Sequence, residues 1–216
     1  MCGVGDQRDR TVADASQRRR DAALAGHRAD EAAARTALAD GDATVRATAL
    51  GALARAGRLS AADVGAALTD DAASVRARAC ELAAEADTVA AGEALVAALG
   101  DRDPTVTEVA AWALGELSAR PPAALSALVE VATRHRDALC REAAVAALGA
   151  IGDPAGLPAI LAAMSDKAAV RRRAVLALAP FEGASVDAAL QAALNDRDWQ
   201  VRQAAEDLLR PSGPLP

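Results

Sequence analysis

One short motif returns six times in this chain, and each copy is too small to fold by itself. The copies are anchored at Val45, Val75, Val106, Cys140, Val170 and Val201, with intervals of 30, 31, 34, 30 and 31 residues. Arginine follows every anchor except Val106, where Thr107 stands. Four residues past the anchors come Ala49, Ala79, Ala110, Ala144, Ala174 and Ala205; eight past them come Leu53, Ala83, Leu114, Leu148, Leu178 and Leu209. Steps of four trace one face of a helix. About thirty residues hold two short helices, which can bury their apolar faces only by stacking on the neighbouring copies. The repeat therefore predicts an all-α fold: an α-solenoid, or superhelix, of about six two-helix repeats.

First helices are expected near 30–39, 60–69, 89–99, 121–134, 155–164 and 184–194, and second helices near 43–56, 72–86, 104–118, 138–151, 168–180 and 199–210. Asp42, Asp103, Asp137 and Asp198 each stand three before an anchor, where a carboxylate accepts from the orphan amides of a helix start. Pro104 suits the first helical position. In the second and fifth units Ala72 and Lys167 hold that slot, so Asp71 and Asp166 are expected to cap one residue earlier. Gly57 and Gly152 fall where a left-handed helix terminator is wanted. Residues 1–11 read as a disordered N-terminus, 12–29 as a degenerate capping helix, 30–210 as the solenoid and 211–216 as a flexible tail. The longest interval places any irregularity between the third and fourth units, around an extended RHRDAL loop.

Composition narrows the function. Apolar residues make up 52% and aromatics 1%, so alanine fills the core and helices must approach closely for each small side chain to bury area. A net charge of −6 opposes general binding to nucleic acid or anionic membranes, although residues 1–29 carry six arginines against four aspartates. Cys2, Cys80 and Cys140 show neither disulfide nor zinc spacing, and the latter two read as small core residues. No eighteen-residue apolar run occurs and MCGVGDQRDR lacks a secretion signal, so no membrane partner, a cytoplasmic location and a monomer are expected. His27 and His135 have no ligand partners at helical spacing, and no phosphate loop or nucleophile motif is present. The chain thus offers no catalytic residues, no metal ligands and no cofactor site, and a non-enzymatic role is favoured.

Written out, DRDPTVTEVAAWALGEL and LCREAAVAALGAIGDP resemble HEAT repeats, specifically the short bacterial type named for phycobilisome lyases. The likeness covers residues 30–210. It implies that the second helices line a concave face, and it admits scaffolds, chaperone-like factors and chromophore lyases. The hydroxylase of this family depends on repeated His-Glu pairs, which are missing here.

The arginines after the anchors (Arg46, Arg76, Arg141, Arg171, Arg202) repeat in step with Asp40, Asp70, Asp101 and Asp196, so they read as structural forks rather than as an anion site. Residues that break the repeat are better site candidates. Trp112 stands six past its anchor; it is either an exposed hot spot on the concave face or a half-buried filler between units. Glu108, Glu116 and Glu142 fall around it, with Arg172 and Arg173 further along. Trp199 reads as a cap on the terminal core. The favoured function is a non-catalytic scaffold or adaptor that binds a protein or peptide through the concave face. The alternatives are a lyase or chaperone-like factor of the bilin-lyase kind, for which aromatics are few, and nucleic-acid binding, for which the charge has the wrong sign.

Overall fold

The computed structural model describes residues 4–86 and 89–210, and every regular element among them is helical. The chain divides into two compact units, residues 1–86 and 87–216. The first contains α1 (Val4–Arg28), α2 (Glu31–Ala37), α3 (Ala43–Arg55), α4 (Ala61–Ala67) and α5 (Ala73–Ala86). The second contains α6 (Val89–Ala98), α7 (Pro104–Glu116), α8 (Ala123–Arg134), α9 (Ala138–Ile151), α10 (Leu157–Ala163), α11 (Ala168–Ala177), α12 (Ala184–Ala193) and α13 (Trp199–Leu209). No helix among the described residues is long and apolar enough to cross a membrane.

The helices start where short polar side chains replace missing backbone partners. Asp42, Asp103, Asp137 and Asp198 each accept from the amide two residues on, at 2.8–3.0 Å. Ser60 and Asp63 form a reciprocal capping box at α4. Gly152 ends α9 at φ 67°, a conformation that a side chain would strain. Asp166 departs from expectation. Lys167 is the N-cap residue of α11, and the backbone amide that Asp166 accepts from is that of Lys167, one residue on.

The second helices carry the core. Every anchor, every alanine four past it, and the first five residues of the eight-past column are buried; Leu209 is only half-buried. Close approach depends on glycine at two joints. A Cβ on Gly115 would lie 3.0 Å from the Ala147 Cα, and one on Gly149 only 2.7 Å from the Ala177 Cα. The helix α1 belongs to the same series as α3. In α1, Arg18, Ala22, Ala25 and Gly26 occupy the slots of Arg46, Leu50, Leu53 and Ala54. α1 also begins at Val4, well before residue 12, so the stretch expected to be disordered is helical from Val4 onward. The sequence has no glycine or proline from Asp6 to Ala25, and Asp14 and Arg18 pair one turn apart at 2.7 Å. Residues 1–3 and the tail 211–216 lie outside the described residues.

Arginine forks tie successive hairpins. Arg46 grips Asp70 through Nε and Nη2 at 2.8 and 2.7 Å, Arg141 grips Asp166 at 2.6 and 2.7 Å, and Arg171 grips Asp196 at 2.8 and 2.7 Å. Arg18 holds Asp40 in the same way. The Nη1 atoms of Arg46, Arg141 and Arg171 also donate to carbonyls of their own loops, as Arg141 does to His135 and Arg136, whereas that of Arg18 donates to Asp14. The hydrogen bonds from arginine hold Asp70, Asp166 and Asp196 below the usual carboxylate range, against the opposing pull of burial.

The joint between α7 and α9 has no fork. Thr107 replaces the arginine and donates to the Leu99 carbonyl at 3.4 Å, while His135 replaces the aspartate six before Arg141. His135 Nδ1 accepts from the Asp137 amide at 3.1 Å, the turn role that Asp40, Asp70 and Asp196 fill with a carboxylate oxygen. Both halves of the fork are thus lost together. The loop here is not extended: only residues 135–137 separate α8 from α9, and the added length went into the twelve-residue α8, whose sequence holds no breaker.

Candidate functional site

Within the second unit, α7, α9, α11 and α13 lie side by side in parallel register. Cys140 Sγ lies 3.2 Å from the Pro104 carbonyl near the helix starts, and Gly115 approaches Ala147 near their ends. Among the described residues, those two, six and ten past the anchors therefore form one half-buried to exposed stripe across neighbouring helices. All six residues singled out from the sequence fall on or beside it. Trp112 is 48% exposed, which settles it as a surface residue rather than core filler. Glu108 and Glu116 stand one turn before and after it on α7, half-buried and exposed respectively.

On α9, Glu142 occupies the slot of Glu108, and Arg173 of α11 reaches it at 3.5 Å. Arg172 takes the same slot on α11. The side chains of Glu108, Glu116 and Arg172 make no hydrogen bond or ion pair with any described residue. For Glu108 and Arg172 the Glu142–Arg173 contact explains why. It joins a residue two past one anchor to a residue three past the next, and Glu108 and Arg172 find Ala143 and Ala204 at the corresponding places.

Sequence reasoning passed over two apolar members. Leu176 of α11, 38% exposed, shares the slot of Trp112, with Ala146 between them on α9. Leu139 is more than half exposed at the start of α9. The signal for Leu176 lay in the register: a leucine in a slot whose other occupants are mostly small or charged. Trp199 requires a correction. It is 64% exposed and caps no core, because the first turn of α13 points it outward.

The equivalent stripe of the first unit differs. Gly51 stands where Trp112 does, and Arg78, paired with Glu81, lies across it. An open cavity of about 290 Å³ results, lined by Ala23, Ala47, Thr48, Gly51, Arg55 and Arg78.

Among the described residues neither stripe presents a metal-ligand set. Cys140 is fully buried, and burial, followed by the charges of Asp137 and Glu108, pushes its thiol up to about 11. Among the described residues no three His, Cys, Asp or Glu side chains gather as metal ligands would. The stripe offers shape, apolar area and uncompensated charge.

Comparison with known proteins agrees with this geometry. The family model for HEAT repeats matches residues 61–149 and 125–210. No curated protein sequence matches the chain. Among solved structures, a designed armadillo repeat protein in complex with the peptide (KR)4 superposes with a TM-score of 0.60 at 19% identity, over 81% of this chain and 95% of that one. The YibA protein of Escherichia coli gives 0.59 at 17% identity, over 73% and 60%. An engineered protein gives 0.58 at 22% identity, over 83% and 95%. At such identities the likeness is one of fold, an all-α solenoid of the HEAT and armadillo type. With the family model spanning residues 61–210, the chain belongs to the HEAT-repeat family.

Proposed function

We propose that this chain is a non-catalytic scaffold that binds a protein or peptide through the exposed stripe of its second helices, as a cytoplasmic monomer. The observation that carries the reading is the pairing of Trp112 and Leu176, two large apolar side chains exposed in one slot across a surface otherwise made of alanine and charge. Tryptophan supplies large contact area at little entropic cost and is a frequent anchor of binding energy. Glu108, Glu116, Glu142, Arg172 and Arg173 form the polar rim that orients a partner. Supporting it, a designed armadillo protein of the same fold was solved holding a peptide.

The test is affinity capture from lysate with the wild type and a Trp112→Ala, Leu176→Ala variant of unchanged helicity. A polypeptide retained by the wild type and lost by the variant is the expected result. Equal retention by both, or retention of nucleic acid alone, overturns the reading.

A further inference from the structure

Resting on that reading, we infer that the stripe of the second unit is a dipolar groove, selecting an extended segment with a cationic side chain at one end and a carboxylate at the other. Charges along it are sorted rather than mixed. At α7 the two unpaired groups, Glu108 and Glu116, are both acidic and flank Trp112. At α11 the unpaired group, Arg172, is basic and stands one turn before Leu176. Between them Glu142 and Arg173 neutralise one another. Beyond α11, Asp207 is already engaged by Gln203 at 3.0 Å and by Arg210 at 3.6 Å, so the basic end is not cancelled by its neighbour.

A lysine or arginine at the α7 end meets two carboxylates and the face of an exposed indole, which attracts cations through its ring quadrupole. A carboxylate at the α11 end meets Arg172, whose planar fork suits it.

The apolar column between these ends is one residue wide: Trp112, Ala146, Leu176. A docking helix would press an apolar face of at least about 100° onto the charged rows on either side. An extended chain presents a single row of side chains and fits. Adjacent helices lie about 8–10 Å apart, so the column runs about 16–20 Å from α7 to α11. At about 3.3 Å per residue, an extended segment crosses it in five or six residues. The partner is therefore a short segment with base and acid about that far apart and small or apolar residues between.

Fluorescence anisotropy with labelled peptides on the intact chain at low salt decides the matter. The probes are Lys-Lys-Ser-Leu-Ser-Leu-Ser-Glu-Glu and three relatives with both ends lysine, both ends glutamate or both ends glutamine. The mixed-charge peptide should bind about tenfold more tightly than the glutamine-ended one, with an advantage that shrinks as salt rises. A Glu108→Lys, Glu116→Lys protein, basic at both ends, should transfer its preference to the glutamate-ended peptide. The inference is overturned if the lysine-ended peptide equals or beats the mixed one, if the charge variant keeps its preference, or if no probe binds. Binding of the glutamine-ended peptide as tight as the mixed one, lost on Trp112→Ala with Leu176→Ala, sinks the polarity but leaves the scaffold reading intact. Where no probe binds, the lysate capture decides that broader reading separately.

Discussion

Two side chains in this molecule carry opposite duties, and substitution should separate them. Arg141 donates to both oxygens of Asp166 and to two loop carbonyls, so it joins one hairpin to the next and satisfies its own turn. Removing it strands a partly buried carboxylate and two acceptors; charged hydrogen bonds of this kind contribute about 1.5–3 kcal/mol each site. Trp112 is half exposed, and its loss should cost about 0.5 kcal/mol or less. Urea melts of Arg141→Ala and Trp112→Ala should therefore show the larger loss for the arginine, and the reverse order would make the forks a site candidate again. Gly149 gives a second residue-level expectation. Alanine is the better helix former by about 1 kcal/mol, yet its Cβ would sit 2.7 Å from the Ala177 backbone. Backbone cannot step aside as a flexible tip can, so Gly149→Ala should destabilise, by about 1–3 kcal/mol. A stabilised variant would place α9 and α11 farther apart than described.

At the scale of the helix, the eight-past column makes the core prediction. Leu148 of α9 is fully buried beside the turn at Gly156, and Leu148→Ala should cost about 2–5 kcal/mol in the same melts. A loss below about half a kilocalorie would show the register to be wrong. Much of this level could be read from residues alone. Second helices were legible because valine, alanine and leucine recur at fixed offsets and aspartate marks each start; the observed α9, Ala138–Ile151, has the bounds the spacing suggested. What escaped reading was of two kinds. α1 joins the series through Arg18 and Gly26, but its anchor slot holds Gln17, so the pattern broke at its most visible residue. Leu176 and Trp199 escaped because exposure depends on the neighbouring helix, and no single helix's pattern contains its neighbour. The pairing of Glu142 with Arg173, which leaves Glu108 and Arg172 unmatched, is likewise a fact between helices.

For the molecule as a whole, the forks set the response to acid. Asp70, Asp166 and Asp196 have pKa values lowered in the folded state by their arginine partners, relative to about 3.9 in an unfolded chain. A depressed carboxylate stabilises the fold fully above the unfolded value, and that stability is lost as pH falls through the folded one. Melting should therefore be nearly independent of these groups above about pH 5 and fall steeply below about pH 4. Asp166→Asn lacks one fork at every pH; it should be less stable near neutrality and lose less on acidification. Equal slopes for the two proteins would remove the forks from the account.

The joint at Thr107 and His135 has a consequence for how such a chain can grow. Every forked joint is a plug and socket of one pattern, arginine on one hairpin and aspartate on the next, so a hairpin copied by gene duplication and inserted at Arg141–Asp166 or Arg171–Asp196 meets matching ends on both sides. A hairpin of that pattern inserted between Thr107 and His135 would instead bring its guanidinium to an imidazole, with no acid to receive it. A copied hairpin of the forked pattern therefore finds matching ends at Arg141–Asp166 and Arg171–Asp196 but none at this seam.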